Sequence, residues 1–153
     1  MIAKRAYIMS GIPGSGKSTW IAQNTDPTAV VCSADSYQVE NGRYCFRPER
    51  VAEAHGRCFR RFVDVCQRGE LTIVCDNTNT TQVIMAPYVA IAMAYGYEVI
   101  IIRFETSVDL SCARNIHQVP RPAIEQMHRQ ISAPWVTPRH WAVSVVDIKV
   151  DGA

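Results

Sequence analysis

Residues 10–19 read SGIPGSGKST, and this segment determines how the rest of the chain is interpreted. It satisfies the pattern G-x-x-x-x-G-K-[ST], whose specified positions are filled by Gly11, Gly16, Lys17 and Ser18. An apolar run at residues 6–9 precedes the motif, and a segment with helical character follows it. A motif of this kind between a strand and a helix predicts a loop that wraps a chain of phosphates. A glycine-rich turn without a ligand is the alternative.

The residue types of this loop suit a bound nucleoside triphosphate. Glycines permit positive φ angles and let backbone N–H groups approach the phosphates, and the following helix adds the partial positive charge of its N-terminus. The Lys17 ammonium would reach the β and γ phosphates, and the Ser18 hydroxyl would bind Mg²⁺. We therefore expect ATP or another nucleoside triphosphate together with Mg²⁺. The predicted nucleotide contacts are Gly11, Pro13, Gly14, Ser15, Gly16, Lys17, Ser18 and Thr19.

Composition limits the classes of protein to consider. The chain has 153 residues, of which 48% are hydrophobic, and a net charge of +2. We expect one domain over residues 1–153, with no global field that would attract nucleic acid. The six cysteines lack C-x-x-C pairing and are expected to be reduced. Neither a signal peptide nor an apolar run of about 20 residues is evident, which predicts a cytoplasmic protein without a membrane partner.

Apolar runs and helical patterns alternate along the chain. Buried strands are predicted at residues 6–9, 29–32, 71–75 and 99–102. Strands that alternate with helices are typical of a parallel sheet covered on both faces. We predict an α/β fold of the P-loop NTPase type, a three-layer sandwich with a central, mainly parallel sheet of four to five strands and helices on both faces.

Acidic residues follow two of the predicted strands. Asp35 comes shortly after the second strand, and Asp76 comes directly after the third. Because the carboxyl ends of parallel strands meet at one edge, both carboxylates are expected to face the phosphate loop. Asp76 is placed to support Mg²⁺ directly or through water, whereas Asp35 could instead cap the next helix. Asn77 and Asn79 are assigned to the acceptor site, with turn formation as their alternative role.

The last third of the chain carries arginines on a helix, a break and a second helix, which are expected to form an arginine-bearing lid over residues 107–132. Arg114 is the predicted charge-stabilising arginine, and Arg121 is a second predicted nucleotide contact. A surface helix arginine is the alternative for Arg114. Residues 39–44 carry turn signals and are predicted to form a loop. The alternating pattern at residues 143–150 predicts an edge strand.

The ordered set of motifs resembles the polynucleotide kinase-like P-loop kinases, which include phage DNA kinases. It is especially similar to the AAA branch that includes NEDD4-binding protein 2, and the resemblance covers residues 5–132. The matching motifs are Gly11-x-x-x-x-Gly16-Lys17-Ser18-Thr19-Trp20, Ser33-x-Asp35-x-Tyr37, Gly42-x-Tyr44-x-Phe46, Asp76-Asn77-Thr78-Asn79 and Arg114-Asn115-x-His117-x-Val119-Pro120.

This resemblance implies an ATP-dependent kinase in which Lys17 and Ser18 hold the Mg-nucleotide. Asp35 would be the general base on the acceptor hydroxyl, Asp76 would support the metal, and Arg114 would belong to the lid. In-line transfer of the γ-phosphoryl group depends on positioning and charge neutralisation, for which these groups suffice.

Two positions depart from the pattern of the phage 5′-hydroxyl kinases. Gln38 stands where those enzymes carry a further arginine, and His117 or Gln118 stands near the place of a second lid arginine. Tyr37 and Arg43 are assigned to acceptor binding together with Asp35.

Several acceptors and functions remain open at this level. The first hypothesis is a kinase acting on a hydroxyl of DNA or RNA, most simply a 5′-OH end, and a close variant phosphorylates 5-hydroxymethyluracil in DNA. The second hypothesis is a kinase of a small nucleoside or sugar. The third is a nucleotide-dependent binding module, which would have no use for a positioned acid at Asp35. The sequence leaves the oligomeric state open.

Overall fold

The computed structural model of the protein describes residues 2–150. In chain order the helices and strands are β1 (Arg5–Ser10), α1 (Lys17–Asn24), β2 (Val30–Cys32), β3 (Val39–Glu40), β4 (Arg43–Tyr44), α2 (Val51–Arg68), β5 (Thr72–Cys75), α3 (Gln82–Ala94), β6 (Glu98–Thr106), α4 (Val108–Ala113), α5 (Arg121–Ile131) and β7 (Val143–Val150). Short 3₁₀ turns cover Ala34–Tyr37 and Pro48–Arg50.

Five strands form one parallel sheet in the order β2-β5-β1-β6-β7. The central strand is β1, in which Ile8 pairs with Cys75 on one side and with Ile101 on the other. All three residues are fully buried, as expected for the middle of a sheet covered on both faces. The predicted α/β fold is therefore confirmed, with five strands that are all parallel.

Alternate residues of each strand pack on opposite faces of the sheet. Ile8 joins a cluster that includes Phe62 of α2 and Val89 of α3. The next residue, Met9, joins a second cluster that includes Ile21 of α1. Because successive strand residues point to opposite faces, the two clusters are separate cores, and the molecule has the three layers that the sequence predicts.

Residues 39–44 form the hairpin β3–β4 rather than the predicted loop. Asn41 and Gly42 have φ angles of 51° and 76°, and an Asn-Gly pair of this kind favours the tight turn whose twist matches two antiparallel strands. The Arg47 guanidinium binds both carboxylate oxygens of Glu40, at 2.7 and 3.0 Å, and fixes the base of the hairpin. The hairpin stands beside the turn that contains Asp35.

Candidate active site

Three neighbouring strands end at one edge of the sheet and carry the predicted polar residues. β1 leads into the phosphate loop at residues 11–16, β5 is followed by Asp76, and β2 is followed by the turn that contains Asp35. The backbone N–H of Asp76 donates to the Cys32 carbonyl at 2.8 Å, which joins the ends of β5 and β2. The fold therefore brings the phosphate loop and both acids to the same edge.

Glycines give the phosphate loop its shape. Gly14 and Gly16 have φ angles of 74° and 95°, which residues with a side chain rarely adopt. A Cβ atom at Gly11 would lie 2.5 Å from Ser15 Oγ, so the loop is too tight for a larger residue there. Gly16 precedes α1 without a side-chain cap, which leaves the backbone N–H groups of the first helical turn open to an anion.

Lys17 lies over the phosphate loop among opposite charges. Its ammonium donates to the carbonyls of Gly11 at 2.9 Å and Ile12 at 3.2 Å. Burial lowers the pKa of Lys17, and the charges of Asp76 and Asp35 oppose that shift. The Lys17 ammonium and the carboxylates of Asp76 and Asp35 therefore lie close enough for their charges to interact.

The carboxyl group of Asp76 belongs to the same group of charges. Burial raises its pKa, the Lys17 ammonium opposes the rise, and the charge of Asp35 adds to it. A carboxyl group held in this way gains from a bound cation, because a cation favours the ionised form.

The oxygen donors at this edge fit Mg²⁺. Ser18 and Thr19 are exposed on the first turn of α1, and the Asp76 carboxylate follows the adjacent strand. Between residues 2 and 150 no group of three or more His, Cys, Asp or Glu side chains could hold a metal. Mg²⁺ needs no such group, since it commonly takes one or two protein oxygens and completes its shell with phosphates and water.

Asp35 stands on the acceptor side of the cluster. Ser33 caps its 3₁₀ turn by accepting a hydrogen bond from the Asp35 N–H at 3.3 Å, and the Asp35 side chain is 57% exposed. The imidazole of His117, from the loop between α4 and α5, places Nε2 3.9 Å from Asp35 Oδ2. The Tyr44 ring of β4 packs on this imidazole with 4.0 Å between centroids.

Tyr44 and His117 were not predicted as site residues. Burial raises the pKa of Tyr44, and the nearby charge of Asp35 raises it further, so all three side chains share one corner. Both residues do lie in motifs that match the family, and His117 occupies a position where this chain departs from it. This departure was the feature of the sequence that could have indicated a role for His117 in the site.

Tyr37 and Arg43 occupy different surroundings. The Arg57 guanidinium of α2 lies 4.4 Å from the centroid of the Tyr37 ring, a cation–π contact. Arg43 is exposed on β4. A cavity of about 240 Å³ opens beside the stacked pair and is lined by Tyr37, Val39, Arg50, Glu53, Ala54 and Arg57.

The side chains of Asn77 and Asn79 bind the protein itself. Asn77 Oδ1 accepts from the Ala34 N–H at 2.9 Å, and Asn79 Nδ2 donates to the Met9 carbonyl at 2.7 Å. Their residues are only 9% and 1% exposed. The predicted acceptor contacts by these two residues therefore have no support in the structure, because burial directs both amides to holding the strand ends together.

The lid touches the phosphate loop at the end of α4. The Ser111 hydroxyl donates to the Pro13 carbonyl, and a Cβ atom at Gly14 would lie 3.0 Å from Arg114 Cβ. Arg114 is exposed, and within residues 2–150 its guanidinium has no hydrogen bond or ion pair. Its charge is therefore available next to the loop.

Arg121, the other predicted lid arginine, is already paired. Its guanidinium binds Asp109 at 2.7 Å and Glu125 at 3.0 Å, which ties α4 to α5. The structure thus separates two arginines that the sequence treats alike. Arg121 braces the lid, whereas Arg114 lies against the loop.

Gln38, at the position where the resemblance places an arginine in the phage kinases, has a buried side chain that binds the protein backbone. Its amide donates to the Arg47 carbonyl at 3.2 Å and accepts from the Arg47 N–H at 3.1 Å. The Gln38 carbonyl also accepts from the Cys45 N–H at 2.7 Å. Gln38 closes the base of the β3–β4 hairpin, and it is only 3% exposed.

The strand order, the phosphate loop after the central strand and the helical lid define a P-loop kinase-like protein. The chain belongs to the AAA domain family, whose model matches residues 7–134. The resemblance inferred from its motifs is confirmed by this match and by the relatives of the chain.

Two relatives and one solved structure illustrate the similarity. NEDD4-binding protein 2 from Homo sapiens is 32% identical over 137 residues, which are 83% of this chain and 8% of that protein. The 2′,3′-cyclic-nucleotide 3′-phosphodiesterase from Mus musculus is 30% identical over 115 residues, 72% of this chain and 26% of that protein. A chain in the structure of the Pnkp1/Rnl/Hen1 RNA repair complex superposes with a TM-score of 0.69 at 19% identity, covering 86% of this chain and 45% of that one.

The chain therefore spans about a quarter or less of the length of these two relatives. Within the part of the chain that the structure describes, no helix is both long and apolar enough to cross a membrane.

Proposed function

We propose that the protein is an ATP-dependent kinase that transfers the γ-phosphoryl group to a hydroxyl of a nucleic acid, with a 5′-OH end as the first candidate. One observation carries the proposal: the exposed acid Asp35 lies at the same sheet edge as the phosphate loop and is electrostatically coupled to Lys17 and Asp76. An acid placed to meet an acceptor suits transfer to a hydroxyl, and a protein that only binds nucleotide does not need one.

The donor side holds the triphosphate. The glycine loop and the first turn of α1 supply backbone N–H groups, and Lys17 neutralises the terminal phosphates. Ser18 and Asp76 are the residues that would hold Mg²⁺, which supplies charge neutralisation at the β and γ phosphates when bound. Arg114, next to Gly14, adds positive charge from the lid.

The acceptor side supplies the base. The Asp35 carboxylate accepts the proton of the acceptor hydroxyl as the new P–O bond forms in line with the bond that breaks. Its exposure lets a substrate reach it from solvent, and the turn that carries it is fixed to β5 by Asn77.

A nucleic acid is favoured over a small metabolite by exposed arginines on the hairpin and on α2, which packs on the turn of Asp35. Arg43 of β4 and Arg57 and Arg60 of α2 are exposed, and none of them forms an ion pair within the described residues. Exposed arginines suit a phosphodiester backbone, even though the net charge of the whole chain is only +2. The RNA repair complex, which contains a chain of similar fold, supports the same substrate class.

A hydroxymethyl group on a pyrimidine base in DNA is the second candidate acceptor. The cavity of about 240 Å³ near the turn of Asp35, with the Tyr37 ring and the Arg57 guanidinium in its wall, favours it. An enzyme that modifies a base takes the base out of the stack into a pocket with stacking side chains.

The test uses γ-³²P-ATP with four acceptors: 5′-OH oligodeoxynucleotides, 5′-OH oligoribonucleotides, DNA that contains 5-hydroxymethyluracil, and a mixture of free nucleosides and sugars. The polymers are digested with a nuclease to mononucleotides, without phosphatase, to locate the label, and Asp35→Asn serves as the control. Label on a 5′ end or on the base identifies the acceptor. Label on neither polymer overturns the nucleic-acid assignment. A labelled free nucleoside or sugar would instead identify a small-molecule kinase, and nucleotide binding without any transfer would identify a binding module.

A further inference from the structure

A side chain of the lid lies close to the proposed base. His117 lies between α4 and α5, and its Nε2 is 3.9 Å from Asp35 Oδ2. This distance is too long for a direct hydrogen bond. A single oxygen atom beside the line that joins the two atoms, however, can lie about 2.8 Å from both at once, which is an ordinary hydrogen-bond length. One hydroxyl oxygen can therefore bond to both side chains.

The imidazole is held in this position from two directions. The Tyr44 ring packs on it with a centroid distance of 4.0 Å. The loop that carries it is closed by Asn115, whose amide donates to the Val119 carbonyl at 2.6 Å and accepts from the Val119 N–H at 3.1 Å. Held between a ring and a closed loop, His117 has a fixed direction toward Asp35, and its side chain is only one-third exposed.

We propose that His117 binds the acceptor oxygen and holds it against Asp35 when the lid is closed, an inference that rests on the proposed kinase function. The Nε2–H group of His117 donates a hydrogen bond to the acceptor oxygen. Asp35 Oδ2 accepts the proton of the acceptor hydroxyl. The oxygen then bonds to the γ phosphorus, and the bond to the bridging oxygen breaks, with its electron pair leaving on ADP. His117 gains and loses no proton in this step.

The contact between His117 and Asp35 gives the lid a second role, at the acceptor side. α4 touches the phosphate loop through Ser111 and Pro13, while the loop that follows it touches the acceptor base through His117. The same lid element thus joins the nucleotide side to the acceptor side. Closing it over the nucleotide completes the acceptor site.

Three variants distinguish the contribution of the hydrogen-bond donor of His117 from that of its ring. His117→Phe keeps a ring on Tyr44 but removes the donor, His117→Gln keeps a donor without the ring, and His117→Ala removes both. His140→Phe, a change of the same kind on the distant segment before β7, is the matched control. Each variant is assayed for kcat, for the KM of the acceptor found for the wild-type protein, and for the Kd of a fluorescent ATP analogue.

We expect His117→Phe to lower kcat/KM for the acceptor about tenfold, the effect of one lost hydrogen bond, with the nucleotide Kd unchanged within about twofold. His117→Gln should restore part of the loss, and His140→Phe should match the wild-type protein. His117→Phe kinetics equal to wild type, or a change confined to the nucleotide Kd, would overturn this inference and leave the kinase proposal standing. A wild-type protein that labels no acceptor would overturn both.

Discussion

The two sides of the candidate site are built in different ways. The donor side is one continuous loop of backbone, shaped by glycines and closed by its own hydrogen bonds. The acceptor side consists of side chains from three separate segments, Asp35 on a turn, Tyr44 on a hairpin and His117 on the lid. The difference indicates that the phosphate loop depends on local backbone geometry, whereas the proposed acceptor side depends on how separate segments pack together.

The largest expected effects separate the two sides directly. Lys17→Ala should reduce transfer about 1000-fold and also weaken ATP binding, because it removes the cation from the phosphates. Asp35→Asn should reduce transfer about 100- to 1000-fold while leaving ATP affinity within about twofold, because the acid acts only on the acceptor. Rates come from labelled ATP and affinities from titration calorimetry, with exposed Lys149→Ala as the control. If Asp35→Asn loses ATP affinity as Lys17→Ala does, the division into two sides is wrong.

The two lid arginines offer the next contrast. Arg114→Ala should lower kcat about 10- to 100-fold, because the residue adjoins the phosphate loop at Gly14 and its guanidinium has no protein partner within the described residues. Arg121→Ala should have a smaller effect on kcat, since it removes exposed ion pairs that connect α4 and α5. Single-turnover rates at saturating ATP make the comparison. Equal losses in the two variants would show that Arg114 acts through lid folding.

Gly14 and Gly96 form a matched pair for the contact between loop and lid. Both have positive φ, 74° and 79°, so alanine at either site should cost about 1 kcal/mol of unfolding free energy. Only at Gly14 does a Cβ atom meet Arg114, at 3.0 Å, whereas nothing lies within 4 Å at Gly96. We therefore expect Gly14→Ala to lower kcat about tenfold and Gly96→Ala to retain it. Urea unfolding and initial rates measure the two effects, and a similar kcat for both variants would contradict the role of the contact.

The smallest expected effect concerns the stability of the nucleotide-free protein. Because burial raises the pKa of Asp76 despite the nearby Lys17, its ionised form opposes folding at neutral pH. Asp76→Asn should raise Tm by about 1–2 °C at pH 7 and reduce the further rise that Mg-ATP gives the wild type. The gain should disappear as the pH falls through the raised pKa of Asp76 to its ordinary value, where the carboxyl is protonated in both states. Asp64→Asn, on the surface, is the calorimetric control, and an undiminished gain at low pH would refute the explanation.

The donor side and the sheet could be predicted from the sequence because their signals are local. The phosphate loop is a contiguous motif, most strands of the sheet are apolar runs, and two of these runs are closely followed by an acid. The β3–β4 hairpin was missed although Asn41-Gly42 is a strong signal for it, since strands of two residues have no measurable periodicity. Asn77 and Asn79 were assigned to the acceptor site because an amide after a strand has the same sequence signature whether it faces substrate or backbone.

The acceptor corner could not be predicted because its contacts cross the chain. His117 and Asp35 are far apart in sequence, and only the packing of the lid brings them to 3.9 Å. The difference between Arg114 and Arg121 likewise depends on which carboxylates lie nearby in space. No spacing rule relates these positions, so the sequence identified candidate residues without their partners.

The amide of Asn77 has a consequence for how such a protein can change. It ties Ala34, the residue before Asp35, to the end of β5, where Asp76 follows. Both acids are thus anchored to the sheet, while the hairpin and the lid loop that surround the acceptor are attached to its periphery. In the proposed enzyme, insertions or exchanges in those two peripheral segments would redirect it to a new target while the reacting groups keep their spacing.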